Sequence, residues 1–328
     1  TSVLTALLTY CLAPLVVTQP QWLALLIVVT ILVFTEMKDE FISVSKKFGK
    51  AEFVTLAKFI LIAGIILPNL PDEPVFSTLT ITPYKMWLAI VVVSGISYFS
   101  YLLQKFVFPK SGIILSGILG GLYSSTAVSL ILSRKSHDKQ GSPNEYAAGI
   151  LFATSVMYIR IYLIVLIFNA ELAAILLPYQ FFLLVVSLAC GFVVYLRKHK
   201  SVAGTNRNEL TQKNPLEFRV ALGFALFYVV FSYLLTFSES HYGESGLNLL
   251  SFLAGFADVD SYVMNLVQGK FAFSNLLMTA YIVRTATSNN FIKMCYCLWL
   301  SERQTRRLLF ISFGIILLAS ILVIFWLN

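Results

Sequence analysis

Two carboxylates stand where a carboxylate is costly. Asp258 and Asp260 sit in the apolar run FLAGFADVDSYVM, with no basic residue nearby in sequence. A charged side chain at mid-bilayer costs about 2.5–3.5 kcal/mol on insertion scales. Two carboxylates with neighbouring hydroxyls and amides make hard oxygen ligands, suited to Mg²⁺, Ca²⁺ or Na⁺. Either one could instead carry a proton. Spaced i and i+2, they point to different faces of an ideal helix. They converge only where the backbone is irregular, as the preceding Ala254-Gly255 permits. The plainer alternative is ion pairing to Arg160, Arg284 or Lys293 for structure alone.

A second set of polar residues lines up with the first. LGGLYSSTAVSLIL (119–132) aligns without gaps on LAGFADVDSYVMNL (253–266), which places Ser124 on Asp258 and Thr126 on Asp260, with Ser125 between. Upstream, FSYLL occurs at 99–103 and again at 231–235; downstream, ATSVMYIR (153–160) matches ATSNNFIK (286–293). That match superposes Arg160 on Lys293 and brings Asn289 and Asn290 alongside. The nearly constant spacing implies an internal repeat, with copies at 86–196 and 216–327 following N-terminal helices in 1–85. Serines and threonines in membrane helices often bond back to their own helix, so the SST run gains weight only through its pairing with the aspartates. The expected site is therefore Asp258, Asp260, Ser124, Ser125, Thr126, Asn289 and Asn290. Arg160, Arg284 and Lys293 would balance charge, and a metal would fall on Asp258 and Asp260.

The elements that must position these residues are membrane helices. The chain has 328 residues, 58% hydrophobic and only 12% charged, where a soluble domain carries about 25% charged residues. Apolar segments near 2–17, 21–36, 52–68, 86–106, 112–132, 146–168, 172–196, 216–237, 246–266, 273–300 and 306–327 predict one all-α, polytopic transmembrane bundle spanning 1–328 with about 9–11 membrane segments. The net charge of +8 is concentrated in loops, a sign of orientation rather than of nucleic-acid binding. Cys11, Cys190, Cys295 and Cys297 fall in apolar segments and read as buried small residues. No HExxH, GxSxG or P-loop is present, and an intramembrane aspartyl hydrolase would place its two aspartates on separate helices; no enzyme is expected. The chain opens without Met and without a secretory leader, which suggests a fragment or a processed product.

The loops test the topology. Lys38, Lys46, Lys47 and Lys50 place 35–50 in the cytoplasm. If 112–132 crossed fully, basic 133–146 and 196–215 would fall outside. If 112–132 and 246–266 are both re-entrant or broken at their glycines (Gly117, Gly120 and Gly121 in the first), the basic loops and Arg303, Arg306 and Arg307 lie inside, and acidic 238–246 lies outside. The two copies then enter from opposite faces, an inverted repeat of the kind secondary transporters use. The competing view is an old duplication whose glycines serve only close helix packing.

GGLYSSTAVSLILSRK, NPLEFRVALGFALF and AGFADVD together resemble the C-terminal membrane domain, a domain of unknown function (number 4010), of MgtC/SapB-type membrane proteins. The resemblance covers essentially the whole chain. It implies a bacterial inner-membrane location and an N-terminal MgtC-like partner module, to which the link with magnesium limitation belongs.

Three readings follow. The first is a transporter or channel for a small ion, a divalent cation by preference, with a bound Mg²⁺ or Na⁺ and no other cofactor. The second is a regulator or scaffold that moves nothing and acts through a partner such as that module. The third binds a lipid, with Arg160 and Lys293 as headgroup contacts. The partners expected are the bilayer, the ion, the module and a second copy in a homo-oligomer; nucleic acid is excluded.

Overall fold

The computed structural model describes residues 50–74, 82–108, 112–138, 141–197, 218–269 and 273–327, together with 271 and a few positions before 50. The expected segments 2–17 and 21–36, Cys11, and most of the loops 35–50 and 196–215 lie outside the described residues. Two compact units divide the chain, 1–61 and 62–328. In the first, α1 is Lys50–Ile60. The second contains α2 (Pro83–Leu102), α3 (Ile113–Lys135), α4 (Pro143–Phe168), α5 (Ala170–Leu196), α6 (Phe218–Ala257), α7 (Val259–Gln268), α8 (Asn275–Leu300) and α9 (Arg303–Leu327). No strand occurs among the described residues.

Apolar length makes this an integral membrane protein. Among the described residues, six helices are long and apolar enough to cross a bilayer. Phe310, Leu318, Phe325 and Trp326 on α9 stand exposed, which suits a helix facing lipid and no water-facing surface. The most enclosed span is α4, its apolar window 72% buried against 44% or less for the others. It starts on a capping box in which Glu145 N donates to Ser142 Oγ and Ser142 N donates to Glu145 Oε2, with Pro143 at the first helical position.

Length alone misleads for α3, because it folds back on itself. Its first arm runs parallel to α4. A methyl group at Gly117 would stand 2.5 Å from the Gly149 oxygen, and one at Gly121 would stand 2.7 Å from Ala153 Cα. Continued straight, Leu132 would lie about 28 Å from Ile113 at 1.5 Å per residue. Instead both touch Gly149: a methyl group there would meet Ile113 O at 3.3 Å and Leu132 Cδ1 at 3.0 Å. The reversal falls at Ser124, whose φ −161 and ψ 103 are extended within an otherwise helical run.

A second reversal follows in α6 and α7. Gly243 (φ 54, ψ −137) breaks α6 first, in a conformation open to glycine and strained for other residues. The arm 244–257 then runs parallel to α8: Thr285 Oγ1 donates to Ser251 O at 2.9 Å and Asn289 Nδ2 to Gly255 O at 2.9 Å. If α7 continued in that direction, Gln268 would end abreast of residue 302, about 40 Å from Asn275. The linker 269–274 reaches about 25 Å at most. Therefore α7 turns back, and Lys85 Nζ at the start of α2 donates to Gln268 O at 3.3 Å.

The two dips open at opposite ends of α8. The base of the first meets the C-terminal end of α8, where Glu302 N donates to Ser136 Oγ (2.9 Å) and His137 Nε2 lies 3.1 Å from Leu300 O. The base of the second adjoins the N-terminal end. Arg134, Lys135, Arg197, Arg303, Arg306 and Arg307 gather at the first end, and Glu239 and Glu244, with Lys85, at the second. Among the described residues most expected segment bounds agree with the helices to within a few residues, except that 216–237 and 246–266 fall on the run Phe218–Ala257, broken at Gly243, and on Val259–Gln268; the role given to the glycines does not agree. Gly117, Gly121 and Gly255 are helical and bring backbones into contact; the chain breaks three residues beyond, at Ser124 and Asp258.

Candidate functional site

Each break leaves bare carbonyls on one arm and bare amides on the next. At the first, the hydroxyl of Ser124 accepts from Ala127 N at 3.3 Å. At the second, Asp258 (φ −149, ψ 112) caps α7, its Oδ2 accepting from Ser261 N at 3.2 Å and from Ser261 Oγ. These are N-caps of the usual kind. The arm before the second break ends with Asp258 N donating to Ala254 O at 3.1 Å, while Asn289 satisfies Gly255 O.

Arg160 of α4 joins the two breaks. Its Nη1 donates to Tyr123 O, the last carbonyl of the first arm, at 2.6 Å, and its Nη2 pairs with Asp260 Oδ2 at 2.6 Å. The Arg160 side chain is 8% exposed and that of Asp260 17%. Arg160 Nε is buried without a partner. Asp260 lies in the first turn of α7, where the helix dipole also favours a carboxylate. The two aspartates thus hold different partners, Asp258 a serine and Asp260 a guanidinium.

A second polar cluster lies where α4 meets α8. Asn290 Nδ2 donates to Tyr158 OH at 2.7 Å. Lys293 is 0% exposed, and its Nζ contacts Met157 Sδ at 3.0 Å and Asn290 Oδ1 at 3.4 Å. No carboxylate stands among these contacts of Lys293, whereas Arg160 pairs with Asp260. Arg284 places its guanidinium carbon 5.9 Å from the centre of the Tyr281 ring. Ser125 is buried, with its carbonyl accepting from Ser129 Oγ at 2.7 Å; Thr126 is half-buried on the second arm. Cys190, Cys295 and Cys297 are free thiols. No three His, Cys, Asp or Glu side chains gather for a metal among the described residues.

Sequence reasoning passed over Tyr123, Met157, Tyr158 and Ser261. Ser261 was legible, since Asp-x-x-Ser is the spacing of an N-cap. Tyr123 contributes only a backbone oxygen, which its residue type does not announce.

The family model for the domain of unknown function DUF4010 matches residues 91–301, which takes in α3 to α8 and both breaks. This chain belongs to that family. It is also similar to an uncharacterized protein of Aquifex aeolicus (strain VF5), 27% identical over 223 residues that cover 65% of this chain and 94% of the relative. No solved structure matches.

Proposed function

We propose that this protein moves a small ion across the membrane through the place where the two dips meet. The observation that carries this reading is Arg160, which holds a carbonyl at one break and a carboxylate beside the other. Irregular backbone at membrane depth persists where it is buried in protein or lines a cavity, and broken helices facing one another are how many transporters hold ions. We read 86–196 and 216–327 as inverted copies, because the dips open at opposite ends and the breaks fall on aligned residues. Asp258 and Asp260 supply charge for a cation, divalent by preference, while Ser124, Ser125, Thr126, Asn289 and Asn290 supply neutral oxygens nearby. Arg160, Lys293 and Arg284 offset charge as the ion comes and goes. An N-terminal MgtC-like module and a homo-oligomer belong to the same proposal.

Flux into proteoliposomes tests it. Asp258→Asn and Asp260→Asn each stop uptake at a temperature below the thermal midpoint of either variant; uptake at the wild-type rate in both discards the site. A non-transporting scaffold is favoured by one observation, the closed Arg160–Asp260 pair, and it predicts no flux of any ion. The lipid-binding reading is weaker, since burial withholds Arg160 and Lys293 from a headgroup.

A further inference from the structure

We infer that Arg160 is a built-in competitor for the transported ion: a hard cation binds Asp260 by displacing the guanidinium, and the displacement unlinks the two dips. This rests on the transport reading above and gives it a binding mode. One guanidinium already gathers two oxygens, Tyr123 O and Asp260 Oδ2, each 2.6 Å from its own nitrogen. A carbonyl and a carboxylate within one guanidinium's width are the donors a hard cation requires, at metal–oxygen distances of about 2.0–2.6 Å. Arg160 is 7% exposed and its Nε finds no partner among the described residues, so its direct polar contacts here are those two oxygens.

Consider what faces the pair. Asp258 lies two residues from Asp260 and keeps its carboxylate on Ser261. From α8, Asn289 faces Gly255 O, and Lys293 is occupied by Met157 and Asn290. None of these bonds has to break for a cation to take the place of Arg160. The same two oxygens belong to different dips, Tyr123 to the one opening at the C-terminal end of α8 and Asp260 to the other. While Arg160 bridges them the dips are tied through α4. A cation that captures Asp260 removes that tie, so occupancy of the site and freedom of the dips rise together.

The test uses the full chain in detergent, with Mg²⁺, Ca²⁺ and Na⁺ each supplied as chloride against choline chloride, and affinity read by calorimetry. Arg160→Met is expected to bind one of these cations on the order of tenfold more tightly than the wild type, the size of an ordinary coupling between ligands. Arg160→Met/Asp260→Asn loses the binding. Equal or weaker affinity in Arg160→Met, or binding that survives in the double variant, overturns the inference. Should Arg160→Met fail to fold, Arg160→Lys decides by the same rule, because a single ammonium spans the two oxygens less well. In the wild type, the bound cation should speed hydrogen exchange across 119–126 and 256–262; unchanged exchange overturns the unlinking. The two proposals fail separately. If Asp260→Asn transports normally, the transport site itself is wrong; if Asp260→Asn is inactive while Arg160→Met binds no more tightly, only the competition is wrong.

Discussion

Ser124 and Asp258 hold nearly the same extended backbone, φ −161 and ψ 103 against φ −149 and ψ 112, and each accepts a hydrogen bond from the amide three residues on. A serine and an aspartate thus perform one local task at two breaks. The task is to start a helix inside the protein, where water is not available to the first amides. Asp258 therefore has a structural reason to be an oxygen acceptor, and a separate reason is needed for its charge.

That separation is measurable. Ser124→Ala and Asp258→Ala should each lower stability by about 0.5–2 kcal/mol, the usual cost of a lost cap, seen as a lower thermal midpoint in detergent. Asp258→Asn keeps the cap and should melt near the wild type. If Asp258→Asn melts as low as Asp258→Ala, the residue is held by its charge and not by its cap.

The close-approach glycines give a steeper effect. A methyl group on Gly255 would lie 2.4 Å from Thr285 O, and one on Gly121 2.7 Å from Ala153 Cα, both backbone atoms that cannot swing aside. Gly255→Ala and Gly121→Ala should each cost about 1–3 kcal/mol through overpacking. Gly314 in α9 has nothing within 4 Å of the same position. Gly314→Ala should be neutral or gain about 0.5–1 kcal/mol from helix propensity. Thermal midpoints of the three variants check the contrast, and equal midpoints would refute the packing role.

Much of this was legible in the sequence. The apolar segments, the mismatch of basic loops with uninterrupted crossings, and the pairing of Ser124 with Asp258 all follow from composition and spacing. The cause of the breaks did not follow. Glycines draw the eye as helix breakers, yet Gly117, Gly121 and Gly255 stay helical, because what they supply is the missing side chain and not a special dihedral. Partner choice among the bases was also hidden. Arg160 and Lys293 align in the proposed repeat, and among the described residues it is the arginine that pairs with a carboxylate while the lysine meets Met157 and Asn290. Sequence symmetry cannot say which way an asymmetric charge leans.

Sidedness has its own check. In a background without cysteines, His137→Cys and Arg303→Cys should react with an impermeant maleimide from the same side of the membrane, and Glu244→Cys from the other. All three positions are exposed. Labelling of all three from one side would mean that the dips do not open at opposite faces, and the inverted arrangement would fall.

The last contrast sets Asp260 against Lys293. Asp260→Asn takes the paired carboxylate from the buried Arg160 guanidinium, and removing one partner of a buried pair costs about 3–5 kcal/mol. Its thermal midpoint should drop well below the wild type. Lys293 is more deeply enclosed than Arg160, yet among the described residues its amine meets an amide oxygen and a thioether. Polar groups so poorly satisfied stabilise little. Lys293→Met exchanges the amine for a side chain of similar length, and the neighbouring Met157 already suits an apolar contact. Its midpoint should equal or exceed that of the wild type, while flux in proteoliposomes falls if the amine serves the ion. A drop in stability as large as that of Asp260→Asn would mean that Lys293 is bound into the ion-pair network after all. The two residues would then have to be treated as one charged unit.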